Sequence, residues 1–130
     1  MIVDSSALVA ILREEPERPV LREKLLYSEV LPRLASPNYL ETAIVIDGKR
    51  DPVASRRLDE LIAEFEIEVI PFTAEHAQLA RAAYRDFGRG SGHPAKLNFG
   101  DSIAYALARC ERQPLLYVGN DFSHTDIEAA

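Results

Sequence analysis

Cysteine, positive charge and long apolar runs are all scarce in this sequence, and each scarcity removes a class of protein. A single cysteine, Cys110, among 130 residues leaves no internal disulfide. It stands at helical spacing from Ile103 and Leu107, which predicts a small buried hydrophobe, and a lone thiol fits a reducing cytoplasm. No apolar run approaches the ~18 residues that a membrane span needs. The opening Met-Ile-Val-Asp lacks the charged-then-apolar pattern of a signal peptide, so none is expected. Lys and Arg number 15 against 21 Asp and Glu, a net charge of −6. That argues against coating nucleic acid by bulk electrostatics, but not against an enzyme that holds it locally.

Familiar catalytic signatures are missing too. There is no G-x-S-x-G, and Ser5, Ser6 and Ser102 have no histidine placed to activate them. No P-loop or dinucleotide fingerprint occurs; Gly88-Arg89-Gly90-Ser91-Gly92 lacks the strand that must precede one and reads as a mobile loop. His76, His93 and His124 are not spaced like zinc ligands and read as surface residues.

What remains is a chain with 47% hydrophobic and 28% charged residues, long enough for one domain, 1–130, around one core. Ile2-Val3 reads as a strand ending on Asp4, with Ser5 or Ser6 capping a helix that buries Leu8, Val9, Ile11 and Leu12. Pro16 breaks that helix. A second runs from Arg18 to about Tyr27, with Val20, Leu21, Lys24 and Leu25 on one side. Residues 30–35 form a strand candidate that Pro32 marks as edge or irregular. Ser36-Pro37 opens a helix carrying Glu41, whose period runs through Leu40, Ala43, Ile44 and Asp47 to Gly48. Another helix follows with Leu58, Leu61, Ile62 and Phe65 inward. Residues 67–70 are a third strand, and Thr73 caps a helix predicted to bury Ala77, Ala80, Tyr84 and Phe87. Asn98 or Gly100 caps the helix that begins with Asp101. Residues 115–118 are a fourth strand, followed by a turn through Asp121 and a tail or short helix. Short apolar strands alternating with amphipathic helices indicate an α/β fold: a three-layer α/β/α sandwich on a mainly parallel sheet of four or five strands.

Asp4, Glu41 and Asp121 each fall where a predicted strand gives way to a turn or helix, and Asp101 lies in the first turn of a helix that follows a loop. A carboxylate in a helix's first turn can simply complement the helix dipole. In an open parallel sheet, however, those places gather along one edge, where ligands bind. Four acids there need a positive counter-charge, and carboxylate oxygens suit Mg²⁺ or Mn²⁺ rather than zinc. Such an ion commonly completes its shell with phosphate oxygens and activates water, so the pattern points to phosphoryl chemistry. Arg81, Arg85 and Arg89, with Lys96 beyond, are either a solvated face with local ion pairs or a phosphate-guiding rim.

Four segments in order resemble one family: Met1-Ile-Val-Asp4-Ser-Ser-Ala-Leu; Ser36-Pro-Asn-Tyr-Leu-Glu41; Leu97-Asn-Phe-Gly-Asp101-Ser-Ile-Ala-Tyr-Ala; and Pro114-Leu-Leu-Tyr-Val-Gly-Asn-Asp121-Phe-Ser-His-Thr-Asp126. Together they resemble PIN-domain ribonucleases of the VapC toxin type across essentially the whole chain. The resemblance implies that Asp4, Glu41, Asp101 and Asp121 are the catalytic, metal-binding quartet, that Ser6 steadies the first aspartate, and that Asp126 acts in the outer shell. It further implies RNA cleavage with Mg²⁺ or Mn²⁺, a homodimer, and inhibition by a VapB-type antitoxin whose basic or aromatic segment blocks the acidic cleft. Ser36-Pro37 departs from the smaller residues usual there, which affects helix entry and not the acids.

Other classes are weighed against this one. A phospho-acceptor receiver domain needs an acid after its third strand and a Lys after its last; Pro71 follows the third strand here, and no Lys follows Val118. A catalytically dead PIN fold would not keep all four acids. Other metal-dependent phosphoesterases, DNA nucleases included, share the same residue logic.

Overall fold

The computed structural model describes all residues from Met1 to Ala130. Its elements follow in order as β1 (Ile2–Val3), α1 (Ser5–Leu12), α2 (Arg18–Leu26), β2 (Arg33–Ala35), α3 (Ser36–Asp47), α4 (Pro52–Glu64), β3 (Glu68–Ile70), α5 (Ala74–Phe87), α6 (Phe99–Glu111) and β4 (Leu115–Leu116), then a short 3₁₀ turn, Phe122–His124.

The strands are short, but in β1, β2 and β4 neighbouring side chains go to opposite faces, and that alternation builds two cores. Val3, Leu34 and Leu116 point to a cluster completed by Ala7, Leu8 and Ile11 of α1, Leu21 and Leu25 of α2, and Leu61 with Phe65 at the end of α4. Ile2, Ala35 and Leu115 point the other way, against Ala83 of α5, Ile103, Ala104, Leu107 and Ala108 of α6, Leu97 and Phe122. Helices therefore cover both faces, giving the expected three layers. Deleting one fully buried side chain such as Leu8 or Leu107 would cost roughly 2–5 kcal/mol.

All four strands are parallel, in the order β3-β2-β1-β4. Arg33 pairs with Ile2 on one side and Glu68 on the other, and Ile2 also pairs with Leu115. From β1 the chain first adds strands on one side, then returns to place β4 on the other. The order thus reverses between β1 and β4, and in such sheets the crevice beyond the carboxyl ends at that point is where ligands bind. On the outer edge of β4 the tail makes a fourth, strand-like pairing: Leu115 N–H donates to the Glu128 carbonyl and Ala130 N–H to that of Leu115, both at 2.9 Å. This covers an edge that would otherwise be open.

Several local expectations are corrected. β2 is an interior strand that starts after Pro32, leaving Val30 and Leu31 exposed; the proline is tolerated because the ladder uses only its carbonyl, which accepts the Glu68 N–H of β3 at 2.9 Å. Asp4, not Ser5 or Ser6, caps α1, and Ala35 rather than Ser36 occupies the N-cap of α3. On α3, Leu40 and Ile44 face outward, at 58% and 63% exposure, because the buried face is made by Asn38, Thr42 and Ile46. On α5 the buried stripe is His76, Ala80 and Ala83, one step round from the expected one, so Ala77 and Tyr84 are exposed. His76 is buried because its ring accepts the Thr73 N–H at 3.1 Å while its own N–H reaches the Thr73 hydroxyl, a reciprocal cap. Cys110 lies on the exposed side of α6, not in the core.

Candidate active site at the sheet switch point

Asp4 follows β1 directly and is 2% exposed. Its position is fixed by capping: Oδ2 accepts the Ser6 N–H at 2.9 Å and the Ser6 hydroxyl as well. Ser6 Oγ in turn accepts the Val118 N–H at 3.1 Å, which ties the start of α1 to the chain leaving β4. The other oxygen of Asp4, Oδ1, is buried with no hydrogen-bond partner. An unpartnered buried carboxylate oxygen is costly, so this atom calls for a ligand.

Glu41 is delivered by α3. Its Oε2 accepts from the Ser5 hydroxyl at 2.8 Å and from the Asn38 amide at 3.3 Å. The same Asn38 amide donates to the Gly100 carbonyl at 3.1 Å, so one buried side chain locks the start of α3 to the start of α6. Gly100 lies directly against the Glu41 carboxylate. A Cβ built on it would come within 2.6 Å of Oε2 and 2.7 Å of Oε1, so the absence of a side chain is what lets the acid sit there.

Asp101 is the third residue of α6 and half of a capping box. Its Oδ2 accepts the Asn98 N–H at 2.8 Å, and Asn98 Oδ1 accepts the Asp101 N–H at 2.9 Å. Asn98, not Gly100, is therefore the cap. Asp101 reaches the crevice from the first turn of a helix that follows a loop, as its sequence context predicts. Asp121 does follow β4, after a turn at Gly119 whose φ of +102° suits glycine, and its side chain is exposed.

The acids sense one another. Burial pushes the Asp4 carboxyl up to about 6; the two Ser6 hydrogen bonds oppose this, and the charges of Asp101 and Glu41 add to it. Asp101 is raised as well, chiefly by burial, against the Asn98 hydrogen bond, with Asp121 and Glu41 raising it further and Arg89 lowering it. The cluster is thus one electrostatic unit under repulsive strain. No three acidic, histidine or cysteine side chains stand close enough to form a finished ion cage.

A pattern unites the three anchored acids. In Asp4, Glu41 and Asp101 one oxygen is held by protein donors while the other makes no protein hydrogen bond. At Glu41 that arrangement is made by Ser5, Asn38 and Gly100, none of which the sequence assigns to this role. The placement of Asn38 three residues before Glu41, on the same helix face, is the signal that could have found it.

The remaining candidates separate. Arg89 lies beyond the end of α5 and acts on Asp101. Arg85 is held by Asp86 at 2.9 Å, so its charge is locally matched. Arg81 lines a cleft between α5 and α6, and Lys96 is exposed on the loop before α6. Asp126 is used elsewhere: it accepts the Tyr105 hydroxyl at 2.7 Å and pairs with Arg109 at 2.9 Å, fastening the tail to α6.

Comparison with known proteins identifies the family of the chain. The PIN-domain family model matches residues 1–128. Ribonuclease VapC28 of Mycobacterium tuberculosis is 57% identical over 130 residues, covering 100% of this chain and 97% of that one. Ribonuclease VapC42 of the same organism is 47% identical, with coverage of 100% and 98%. Among solved structures, Mycobacterium tuberculosis VapC20, described as a sarcin-ricin loop cleaving toxin, superposes with a TM-score of 0.76 at 15% identity, covering 99% of this chain and 97% of that one. A toxin–antitoxin complex from Klebsiella pneumoniae gives 0.70 at 15% identity, covering 94% of this chain and 89% of that one. On the family match and the full-length identity, the chain belongs to the PIN-domain family, among its VapC ribonucleases.

Proposed function

We propose that the chain is a metal-dependent endoribonuclease, the toxin of a VapBC-type pair, whose Asp4, Glu41, Asp101 and Asp121 act together on the RNA phosphodiester. The observation that carries this is the set of oxygens left without protein donors on buried or half-buried acids, above all Asp4 Oδ1. A group of like charges whose anchored oxygens are saturated and whose others are bare fits a hard divalent cation in donor type and in charge. Asp4, Glu41, Asp101 and Asp121 would hold Mg²⁺ or Mn²⁺. Such an ion, when bound, lowers the pKa of water and offsets charge on the phosphate.

The chain's own residues set the stage for that chemistry. Ser6 and Asn98 fix the two aspartates, and Ser5 with Asn38 fixes Glu41, so the acids do not need to be ordered when substrate arrives. Burial of Asp4 excludes bulk water from one side of the crevice. Arg89, beside Asp101 and in no ion pair, is the cation best placed to meet an incoming phosphate. The outward Leu40 and Ile44 on α3 supply apolar surface for a second copy of the chain, in keeping with a homodimer. An antitoxin arginine would find the bare acid oxygens a suitable bidentate partner.

The test is cleavage of RNA by the purified protein with Mg²⁺ or Mn²⁺ and with EDTA. Activity lost in EDTA, restored by the ion and absent from Asp4→Asn supports the reading. Equal cleavage by Asp4→Asn contradicts it.

A further inference from the structure

Beside the acids lies a second feature that their chemistry does not use. A cleft of about 540 Å³ opens between α5 and the start of α6, lined by Pro37, Phe72, Arg81, Tyr84, Phe99 and Ile103 among others. Its volume is in the range of ordinary small-ligand sites. Its lining is mostly apolar, and it holds two outward aromatic rings: Phe99 is 78% exposed and Tyr84 43%. A phenylalanine that open to water, at the first position of a helix whose next residues are Gly100 and Asp101, gives up burial with no return from folding. Arg81 stands on the same wall and is in none of the chain's ion pairs.

Two residues of the cleft wall are chain neighbours of the acid site. Phe99 directly precedes Gly100-Asp101, and Pro37 directly precedes Asn38, which holds Glu41. A phosphate held at the acids would then have the cleft within reach of a flanking nucleotide. Flat aromatic faces with an unpaired guanidinium are how proteins take up unstacked bases, the rings stacking and the cation meeting either base or phosphate. In a chain of net charge −6, an unpaired arginine on an otherwise apolar wall is also complementary to a polyanion rather than to another copy of the chain.

We propose that this cleft is a nucleobase subsite in which Phe99 and Tyr84 stack on a base flanking the scissile phosphate and Arg81 meets its base edge or phosphate. It rests on the reading of the acids as an RNA-cleaving site and names how that site chooses where to cut. Phe99 is then a specificity residue, touching substrate but not the reacting atoms.

The chain contains no tryptophan, so Phe99→Trp places a single indole reporter in the cleft. With EDTA present, the variant is titrated with adenosine, guanosine, cytidine and uridine 5′-monophosphates and with ribose 5-phosphate. Saturable quenching by at least one mononucleotide, none by ribose 5-phosphate, and a severalfold weaker response in Phe99→Trp/Arg81→Gln is expected. Quenching that never saturates and matches that of free tryptophan overturns the proposal. Because no metal or cleavage is involved, this readout stands or falls separately from the proposed activity. In the cleavage assay, Phe99→Ala should lower kcat/KM roughly ten- to a hundredfold, mostly through KM, and flatten the base preference at one position beside the cut. Phe99→Trp should restore both. A Phe99→Ala protein that cuts at the wild-type rate and sites, or one that keeps its base preference while a sedimenting dimer becomes a monomer, overturns the proposal; in the latter case a second copy occupies the cleft.

Discussion

Replacing Asp4 by asparagine should change the pH dependence of stability more than stability itself. The substitution keeps the shape of the side chain and the oxygen that accepts from Ser6, and removes a buried charge. The folded protein holds the Asp4 proton up to a pKa of about 6, against 3.8 for the free side chain. The native state therefore binds more protons than the unfolded chain between those values, and metal-free stability falls as pH rises through that window. The gap corresponds to roughly 3 kcal/mol at most. Asparagine escapes that loss but turns an amide toward the place of the unpartnered oxygen, which costs about 1–3 kcal/mol at every pH. At pH 8 in EDTA the variant should thus be as stable as wild type or up to ~2 kcal/mol more so, and at pH 4 less stable. The difference between the proteins should swing by about 2–3 kcal/mol across that range, or ~6–9 °C in Tm at this chain length. Urea unfolding at both pH values reads it directly. Adding Mg²⁺ at tenfold excess over its Kd should stabilise wild type by about 1.4 kcal/mol and the variant much less. Parallel pH profiles for the two proteins would refute the reasoning, since they would mean that Asp4 is not a strained charge in the folded state.

Other residues give separate tests. Gly100→Ala sets a methyl group against the end of the flexible Glu41 side chain, which can swing away, so the protein should fold with Tm within a few degrees of wild type. A displaced carboxylate should nevertheless lower kcat about a hundredfold, as misplacement by ~1 Å does elsewhere. Asn38→Ala strips a donor from Glu41 and from the Gly100 carbonyl, and should cost about 1–3 kcal/mol in denaturant unfolding. Asp126→Asn breaks the ion pair with Arg109 in the last turn of α6, at the other end of the helix from Asp101, so RNA cleavage should stay at the wild-type rate and stability should drop by no more than ~1 kcal/mol; a large loss of activity would return Asp126 to the site.

The parts of the fold that follow from apolar alternation were legible in the sequence. Ile2-Val3, Leu34-Ala35 and Leu115-Leu116 each split cleanly between the two cores, and the four acids stood out because strands end beside three of them. Periodicity failed where a polar residue faces inward. α3 buries Asn38 and Thr42, so its apolar residues Leu40 and Ile44 mark the outer face, and a count of hydrophobic positions reads the helix inside out. His76 rotates the stripe of α5 for the same reason: a side chain satisfied by its own cap can be buried where a histidine is expected outside. The roles of Ser5 and Gly100 were not legible because their partners, Glu41 and Asn38, lie far from them in sequence. Only the packing of α3 against α1 and α6 brings them together.

The central claim is that the four acids work as a unit, including Asp121, which is exposed and shares no hydrogen bond with the others. Its direct test is kcat/KM for RNA cleavage with saturating Mg²⁺ in Asp4→Asn, Asp121→Asn and the double variant. If one site uses both, either single change removes nearly all activity and the second adds little, because residues acting together are strongly non-additive. If the two losses instead multiply, or if Asp121→Asn leaves cleavage intact, Asp121 does not belong to the site and the account of a four-acid unit is wrong.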